Sequence, residues 1–110
     1  MAKISTKDLW MIKFYCCEEF KISELEFLSH RRDKGIVKAR IAASWIAKEF
    51  TLHSFPSIAM AFNRDHSTII YSINQAEKKM EKDPDFAESI IKIIGNMNLK
   101  KLGDEAFLVA

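Results

Sequence analysis

The chain is poor in residues that break helices and lacks the features of an exported or membrane-embedded protein. Its 110 residues include three glycines and two prolines, so turns are scarce and long regular elements are expected. The longest apolar run, residues 41–47, contains Ser44 and ends at Lys48, far short of the roughly 20 residues of a membrane span. Residues 1–8 have no apolar segment like that of a signal peptide. The sequence therefore predicts a cytoplasmic protein.

Few residues suggest catalysis or metal binding. Cys16 and Cys17 are adjacent, a spacing that suits neither a disulfide framework nor a CxxC metal or redox site, so buried thiols are expected. No two of the three histidines fall on one helix turn, and the contiguous Asp65-His66-Ser67 triplet cannot form a catalytic relay. No G-x-x-x-x-G-K-S/T motif occurs. We expect no enzyme activity, no metal or other cofactor, and no nucleotide.

What the chain does have is apolar residues recurring at intervals of three and four, which predicts an all-α domain. We expect a single helical domain over residues 1–96 and a weakly patterned C-terminal tail over residues 97–110. The predicted helices run from a Ser5 or Thr6 cap to about Phe20, from Ser23 through Leu28, from about Ile36 to Phe50, from Ser54 through Phe62, from Asp65 to about Lys82, and from Asp85 to about Asn96.

The same spacing predicts which residues face the core. The expected inward faces are Leu9, Ile12, Cys16 and Phe20 on the first helix, Ile36, Ala39, Ala43, Ile46, Ala47 and Phe50 on the long helix, and Ile69, Ile73, Ala76 and Met80 on the helix after Asp65.

Positive charge is concentrated in the middle of the chain. Residues 30–76 hold seven Lys or Arg against three acids (+4), whereas residues 1–29 (four against five) and 77–110 (six against seven) each carry −1. A basic concentration of this kind suits a phosphate-binding surface. A merely solvated basic face explains the charge alone equally well.

The long helix also carries a row of polar residues. Arg40, Ser44 and Lys48 lie at positions i, i+4 and i+8, so they are predicted to form a narrow ridge beside the apolar stripe. Such a ridge could follow a phosphate strand.

Residues 54–82 have the pattern of a helix-turn-helix. A short helix with Pro56 in its first turn is followed by a tight turn and a longer helix. The second helix is expected to carry polar side chains on its outward face. Such side chains suit a DNA groove, because they can form hydrogen bonds with base edges or phosphates, or contact a thymine methyl. The outward residues predicted on the second helix are His66, Ser67, Thr68, Tyr71, Asn74 and Lys78.

Three segments in this region resemble a known family. The sequences AKEFT at 47–51, HSFPSI at 53–58 and RDHSTI at 64–69 are similar to the C-terminal DNA-binding domain, domain IV, of the bacterial replication initiator DnaA. The resemblance covers roughly residues 5–81. It implies a TrpR-like helical fold that recognises short asymmetric DnaA boxes in duplex DNA, with the second helix in the major groove and the basic loop reaching the minor groove.

For the helix-turn-helix, the resemblance assigns roles by motif. It implies that Asp65, His66, Ser67 and Thr68 contact bases or hold the groove-facing turn. Arg64 would support that turn.

For the loop and the long helix, the resemblance implies a further set of contacts. Arg32 matches the minor-groove arginine, with Lys34 as a nearby basic substitute for a second arginine. Arg40 and Lys48 match phosphate- or base-contacting positions.

Three departures from the family pattern stand out. Only Asn63 separates Phe62 from Arg64 where the family usually has two glycines, so the turn is shorter by one residue. Ile41 replaces a glutamine, and either faces the proposed DNA surface or packs toward Trp45. The motif of the nucleotide-binding ATPase domain is missing.

The sequence therefore predicts a stand-alone, sequence-specific binder of duplex DNA at DnaA-box-like sites, acting in replication control or transcription regulation. The alternative is a protein adaptor in which Trp10, Met11 and Phe14, on the far side of the first helix, dock a partner. Those three residues could instead pack under the C-terminal tail. A protein partner or self-association is left open, and no membrane partner is expected.

Overall fold

The computed structural model describes residues 7–99, and within that range it contains helices and no β-strand. The all-α prediction is confirmed. The predicted caps Ser5 and Thr6, and residues 100–110 of the tail, lie outside the described residues. The helices, in chain order, are α1 Lys7–Phe20, α2 Glu24–Leu28, α3 Lys34–Phe50, α4 Phe55–Phe62, α5 His66–Lys82 and α6 Pro84–Met97.

At the start of several helices, the side chain of the N-cap residue accepts a hydrogen bond from a backbone N–H of the first turn. Ser23 Oγ accepts the Glu26 N–H at 3.0 Å, and the Glu26 carboxylate accepts the Ser23 N–H at 2.9 Å, which is a capping box. Ser54 caps α4 and Asp83 caps α6 through their side chains. The predicted starts of α2 and α4 are thus confirmed.

Two helix ends differ from the prediction. α3 begins at Lys34, two residues early, because the Asp33 carbonyl already accepts a helical hydrogen bond of 2.9 Å from the Val37 N–H. α6 continues to Met97, past the predicted end at 95 or 96, and Asn98 closes it in the left-handed conformation at φ 56°. Gly95 is an ordinary helical residue.

The core is arranged around α3, which packs most extensively against α5 and α1. The whole predicted inward stripe of α3 is buried, and so are Leu9, Ile12 and Cys16 of α1 and Ile69, Ile73 and Ala76 of α5. Phe20 and Met80 are only partly buried. Because α3 has neighbours on several sides, the prediction missed part of its buried surface: Ala42 and Ser44.

Ile41 takes the packed orientation rather than the exposed one. It is 7% exposed and belongs to the core cluster. Its side chain still forms part of the wall of the concave surface described below. The burial of Ile41 therefore does not support the alternative in which this residue faces outward and contacts DNA.

Helices α4 and α5 form the predicted helix-turn-helix. Asn63 ends α4 in the left-handed conformation, φ 56° and ψ 48°, a conformation that favours glycine or asparagine. The Arg64 N–H donates to the Ala59 carbonyl at 2.9 Å, which turns the chain into α5. A single asparagine thus makes the turn where the family pattern has two glycines.

Both cysteines are buried and make no disulfide. Burial raises the pKa of the Cys16 thiol well above its ordinary value, and burial with nearby Glu24 raises the pKa of Cys17 to about 11. The prediction of buried thiols is confirmed. Within residues 7–99 no helix is both long and apolar enough to cross a bilayer.

Candidate nucleic-acid interface

The loop before α3, the helix α3 and the helix-turn-helix together form one concave surface of about 780 Å³, which we call the basic concavity. Its wall contains residues of the loop at 30–32, of α3, of α4 and of the first two turns of α5. The fold thus joins segments that are distant in the sequence. The predicted site residues brought together there are Arg32, Arg40, Ser44, Arg64, Asp65, Ser67, Thr68 and Tyr71.

Two neighbouring arginines of the loop differ in their contacts. Arg31 pairs with Glu26 at 3.1 Å and with Asp33 at 2.6 Å. Arg32 is exposed and makes no hydrogen bond or ion pair with any residue in 7–99. The exposed guanidinium of Arg32 is therefore available to an anion, whereas that of Arg31 is already neutralised.

Arg40 differs from the predicted exposed ridge residue. Its guanidinium donates to the backbone carbonyls of Phe27 at 2.8 Å, Arg31 at 2.6 Å, Glu26 at 3.1 Å and Ser29 at 2.5 Å. Most of its N–H groups are thus committed to the end of α2 and the following loop.

The other two ridge residues also depart from the prediction. Ser44 is 2% exposed and its hydroxyl donates to the Arg40 carbonyl at 2.8 Å. Lys48 is exposed but pairs with Glu49 at 3.6 Å and Glu77 at 3.9 Å, outside the basic concavity. The predicted continuous ridge is wrong, because its middle residue is buried and Lys48 does not line the basic concavity.

Three guanidinium groups share the basic concavity. Burial lowers the pKa of Arg40 to about 10, with repulsion from Arg64 and Arg32 adding to the effect. Burial and Arg32 also lower the pKa of Arg64, which Asp65 partly opposes. A bound phosphate would relieve the mutual repulsion of these guanidinium groups.

The first turn of α5 faces the same surface with its backbone donors uncapped. Asp65 occupies the N-cap position but its side chain makes no capping hydrogen bond. Ser67 and Thr68 line the basic concavity, and Tyr71 follows one turn later with 61% of its surface exposed. A helix N-terminus with free N–H groups and hydroxyl side chains suits an anionic ligand.

Two predicted residues, Lys34 and His66, do not line the basic concavity. His66 is exposed and its ring lies 5.9 Å from the ring of Phe55. Lys34 is exposed at the start of α3.

Sequence reasoning missed two polar contributions to this surface. Asn63 donates from Nδ2 to the Leu28 carbonyl at 3.0 Å, and Arg64 donates to the Ser29 carbonyl. Asparagine at a helix end was a signal for the left-handed turn, but no pattern in the sequence indicates a contact 35 residues away.

The aromatic side of α1 is exposed. Trp10 is 65% exposed, Met11 40% and Phe14 45%. Lys13 lies over the Trp10 ring at 5.6 Å. The suggestion that the tail covers these residues concerns positions outside the described range.

The geometry defines the class of the domain. Two helices joined by a tight turn, with a basic loop beside the second helix, form a helix-turn-helix domain.

Within residues 7–99 no group of three His, Cys, Asp or Glu side chains could hold a metal ion.

Comparison with known proteins identifies the family. The family described as the bacterial DnaA protein helix-turn-helix matches residues 10–76, which is more than half of the chain. The chain therefore belongs to this family. Its resemblance to the DnaA C-terminal domain is confirmed.

Individual relatives agree with that assignment. The chain is 39% identical over 85 residues to the chromosomal replication initiator protein DnaA of Nautilia profundicola, covering 76% of this chain and 20% of the relative. It is 38% identical over 91 residues to that of Geotalea daltonii, covering 80% and 20%. For Geotalea uraniireducens the identity is 42% over 81 residues, covering 71% and 18%. The chain thus spans about a fifth of the length of these relatives.

Proposed function

We propose that the protein binds duplex DNA sequence-specifically through α5 and the loop before α3. The observation that carries this proposal is the basic concavity, where Arg32, Arg40 and Arg64 meet the uncapped first turn of α5. Phosphate needs positive charge and N–H donors, and base reading needs an exposed helix surface. Its family membership as a DnaA helix-turn-helix supports the same ligand.

The recognition role belongs to the first turns of α5. Ser67 and Thr68 line the basic concavity and Tyr71 extends the same surface. His66 and Asp65 are exposed at the helix start. Their hydroxyl, imidazole and carboxylate groups cover the donors and acceptors that major-groove edges require.

The phosphate contacts fall on the basic residues around that helix. Arg32 offers an unpaired guanidinium. Lys34 adds an exposed charge at the start of α3, whereas the charge of Lys48 is already paired with Glu49 and Glu77. Arg64 supports the turn before α5 through its contact with the Ser29 carbonyl. These contacts orient the protein, while α5 supplies specificity.

The biological role we propose is the occupation of DnaA-box-like sites in replication control or transcription regulation. The relatives named above are chromosomal replication initiator proteins, and the chain matches them over 71 to 80% of its own length. A domain that occupies such sites acts by binding and competition rather than by catalysis. Because its ligand is DNA, we place it in the cytoplasm.

Salt-dependent binding tests the proposal. Fluorescence anisotropy with a labelled duplex should give affinity that falls as salt rises, as counterion release requires. Arg32→Ala should reduce the magnitude of the log–log slope by about 1. Arg31→Ala is the matched control: the same charge is removed one residue away, but its guanidinium is paired with Glu26 and Asp33, so its slope should change less. Equal changes would contradict the assignment of Arg32, and no duplex binding would refute the function.

A second candidate function rests on the aromatic side of α1. The exposure of Trp10, Met11 and Phe14 favours a protein adaptor. An adaptor would still bind its protein partner after Arg32→Ala and would lose that partner after Trp10→Ala. The DNA-binding function predicts instead that duplex affinity falls after Arg32→Ala and is kept after Trp10→Ala.

A further inference from the structure

The carbonyl groups at the end of α2 are bound by side chains from the other parts of the basic concavity. Arg40 donates to the carbonyls of Glu26, Phe27, Ser29 and Arg31. The last carbonyls of a helix have no partner within it and carry a partial negative charge. A charged, planar guanidinium is well suited to that position because its donors lie in a fixed fork.

Two residues of the helix-turn-helix reach the same segment. The Asn63 amide donates to the Leu28 carbonyl at 3.0 Å, and Arg64 shares the Ser29 carbonyl with Arg40. Both residues immediately precede the N-cap of α5. The end of α2, the middle of α3 and the start of α5 are therefore joined at one place.

The joined segment leads directly into the loop that carries Arg32. The Arg31 carbonyl accepts a hydrogen bond of 2.6 Å from Arg40, and that carbonyl belongs to the peptide unit that begins Arg32. Arg32 itself makes no side-chain hydrogen bond or ion pair within residues 7–99. Its direction is thus set through its backbone, and the backbone is held by Arg40.

We infer that Arg40 is a positioning residue, assisted by Asn63 and Arg64, which fixes the Arg32 loop relative to α5 so that both can contact one duplex. This inference rests on the proposed DNA binding. Arg40 then has an indirect role in place of the expected phosphate contact, because its guanidinium already donates to four backbone carbonyls within the protein.

Lysine substitution separates the two roles. Arg40→Lys keeps the positive charge, so a simple phosphate contact would be largely preserved. A single ammonium cannot reproduce a fork that reaches four carbonyls. For a positioning residue, Arg40→Lys should weaken binding to a labelled duplex about tenfold, the size of one lost arginine contact, and lower the salt slope although the charge is unchanged.

A double-mutant cycle with Arg32→Ala makes the test specific. If Arg40 acts through the Arg32 loop, Arg40→Lys should cost less than about threefold in the Arg32→Ala background. Hydrogen exchange should be faster for the amides of residues 29–33 in Arg40→Lys and unchanged in α5. Asn63→Gly provides a second variant for the case that Arg40→Lys unfolds, because glycine keeps the left-handed turn and removes only the contact with Leu28. Asn63→Gly should weaken duplex binding when Arg32 is present. It should not weaken duplex binding further in the Arg32→Ala background.

The outcomes distinguish this inference from the proposed function. Two results would overturn the positioning role while DNA binding stands. One is that Arg40→Lys keeps the wild-type affinity and salt slope. The other is that the loss of affinity in Arg40→Lys adds fully to the loss in Arg32→Ala. Absence of duplex binding by the wild type would overturn the proposed function, and with it the role that rests on it.

Discussion

Replacing Ile41 by glutamine restores the residue type of the family pattern, and the structure predicts that it destabilises the fold. Ile41 is 7% exposed and packed in the core. Removing a buried isoleucine forfeits about 1.5–3 kcal/mol of hydrophobic stabilisation. An amide placed there without a full set of partners adds about 1–3 kcal/mol. Because Ile41 also borders the basic concavity, where water can reach part of the amide, we expect a loss of about 2–4 kcal/mol in total.

Urea and thermal unfolding followed by circular dichroism measure this loss. The expected fall in Tm is roughly 10–20 °C. Ile91→Gln on α6 is the matched control, since Ile91 is 68% exposed, and surface substitutions of this kind stay within about 0.5 kcal/mol. Equal, small effects of both substitutions would refute the placement of Ile41 in the core.

Three further predictions address the turn, helix α5 and the α6 cap. Asn63→Ala should destabilise by about 1–2 kcal/mol in urea unfolding, because alanine is strained in the left-handed conformation, while Asn63→Gly should cost less; equal losses would contradict the role of that conformation. His66→Ala and Ser67→Ala should lose about 1–3 kcal/mol of discrimination at particular base pairs, and a uniform loss over all base pairs would exclude them as readers. Backbone hydrogen bonding at the start of α6 lowers the pKa of Asp83 below its ordinary value of 3.8, so its charged form stabilises the fold above that pH. The stability difference between wild type and Asp83→Asn should shrink as the pH falls below 3.8, and a constant difference would contradict this.

The helices could be predicted from the sequence because their signals are local. Ser23 with Glu26, Ser54 before Pro56, and the three- and four-residue spacing of apolar side chains each act within one or two turns. The predicted helix-turn-helix depends on the same local signals. The ends of α3 and α6 were missed by two residues or fewer, since backbone geometry rather than side-chain pattern decides them.

The geometry of the candidate site could be predicted only in part. Arg32, Ser67 and Thr68 do meet in the basic concavity. The contacts of Arg40 with carbonyls 9 to 14 residues away and of Asn63 with Leu28 depend on tertiary packing, which helical spacing does not contain. Ser44 illustrates the same limit, because a helix with neighbours on several sides buries residues outside its apolar stripe.

Selection of bound sequences from a random duplex pool tests the central claim most directly. The wild-type protein should enrich a short asymmetric motif related to DnaA boxes, since in the proposed function α5 and the Arg32 loop contact the duplex as one unit. Ser67→Ala should relax that motif at particular positions without abolishing binding. Recovery of unselected sequences by the wild type would contradict sequence-specific recognition, and failure to retain any duplex would contradict DNA binding itself.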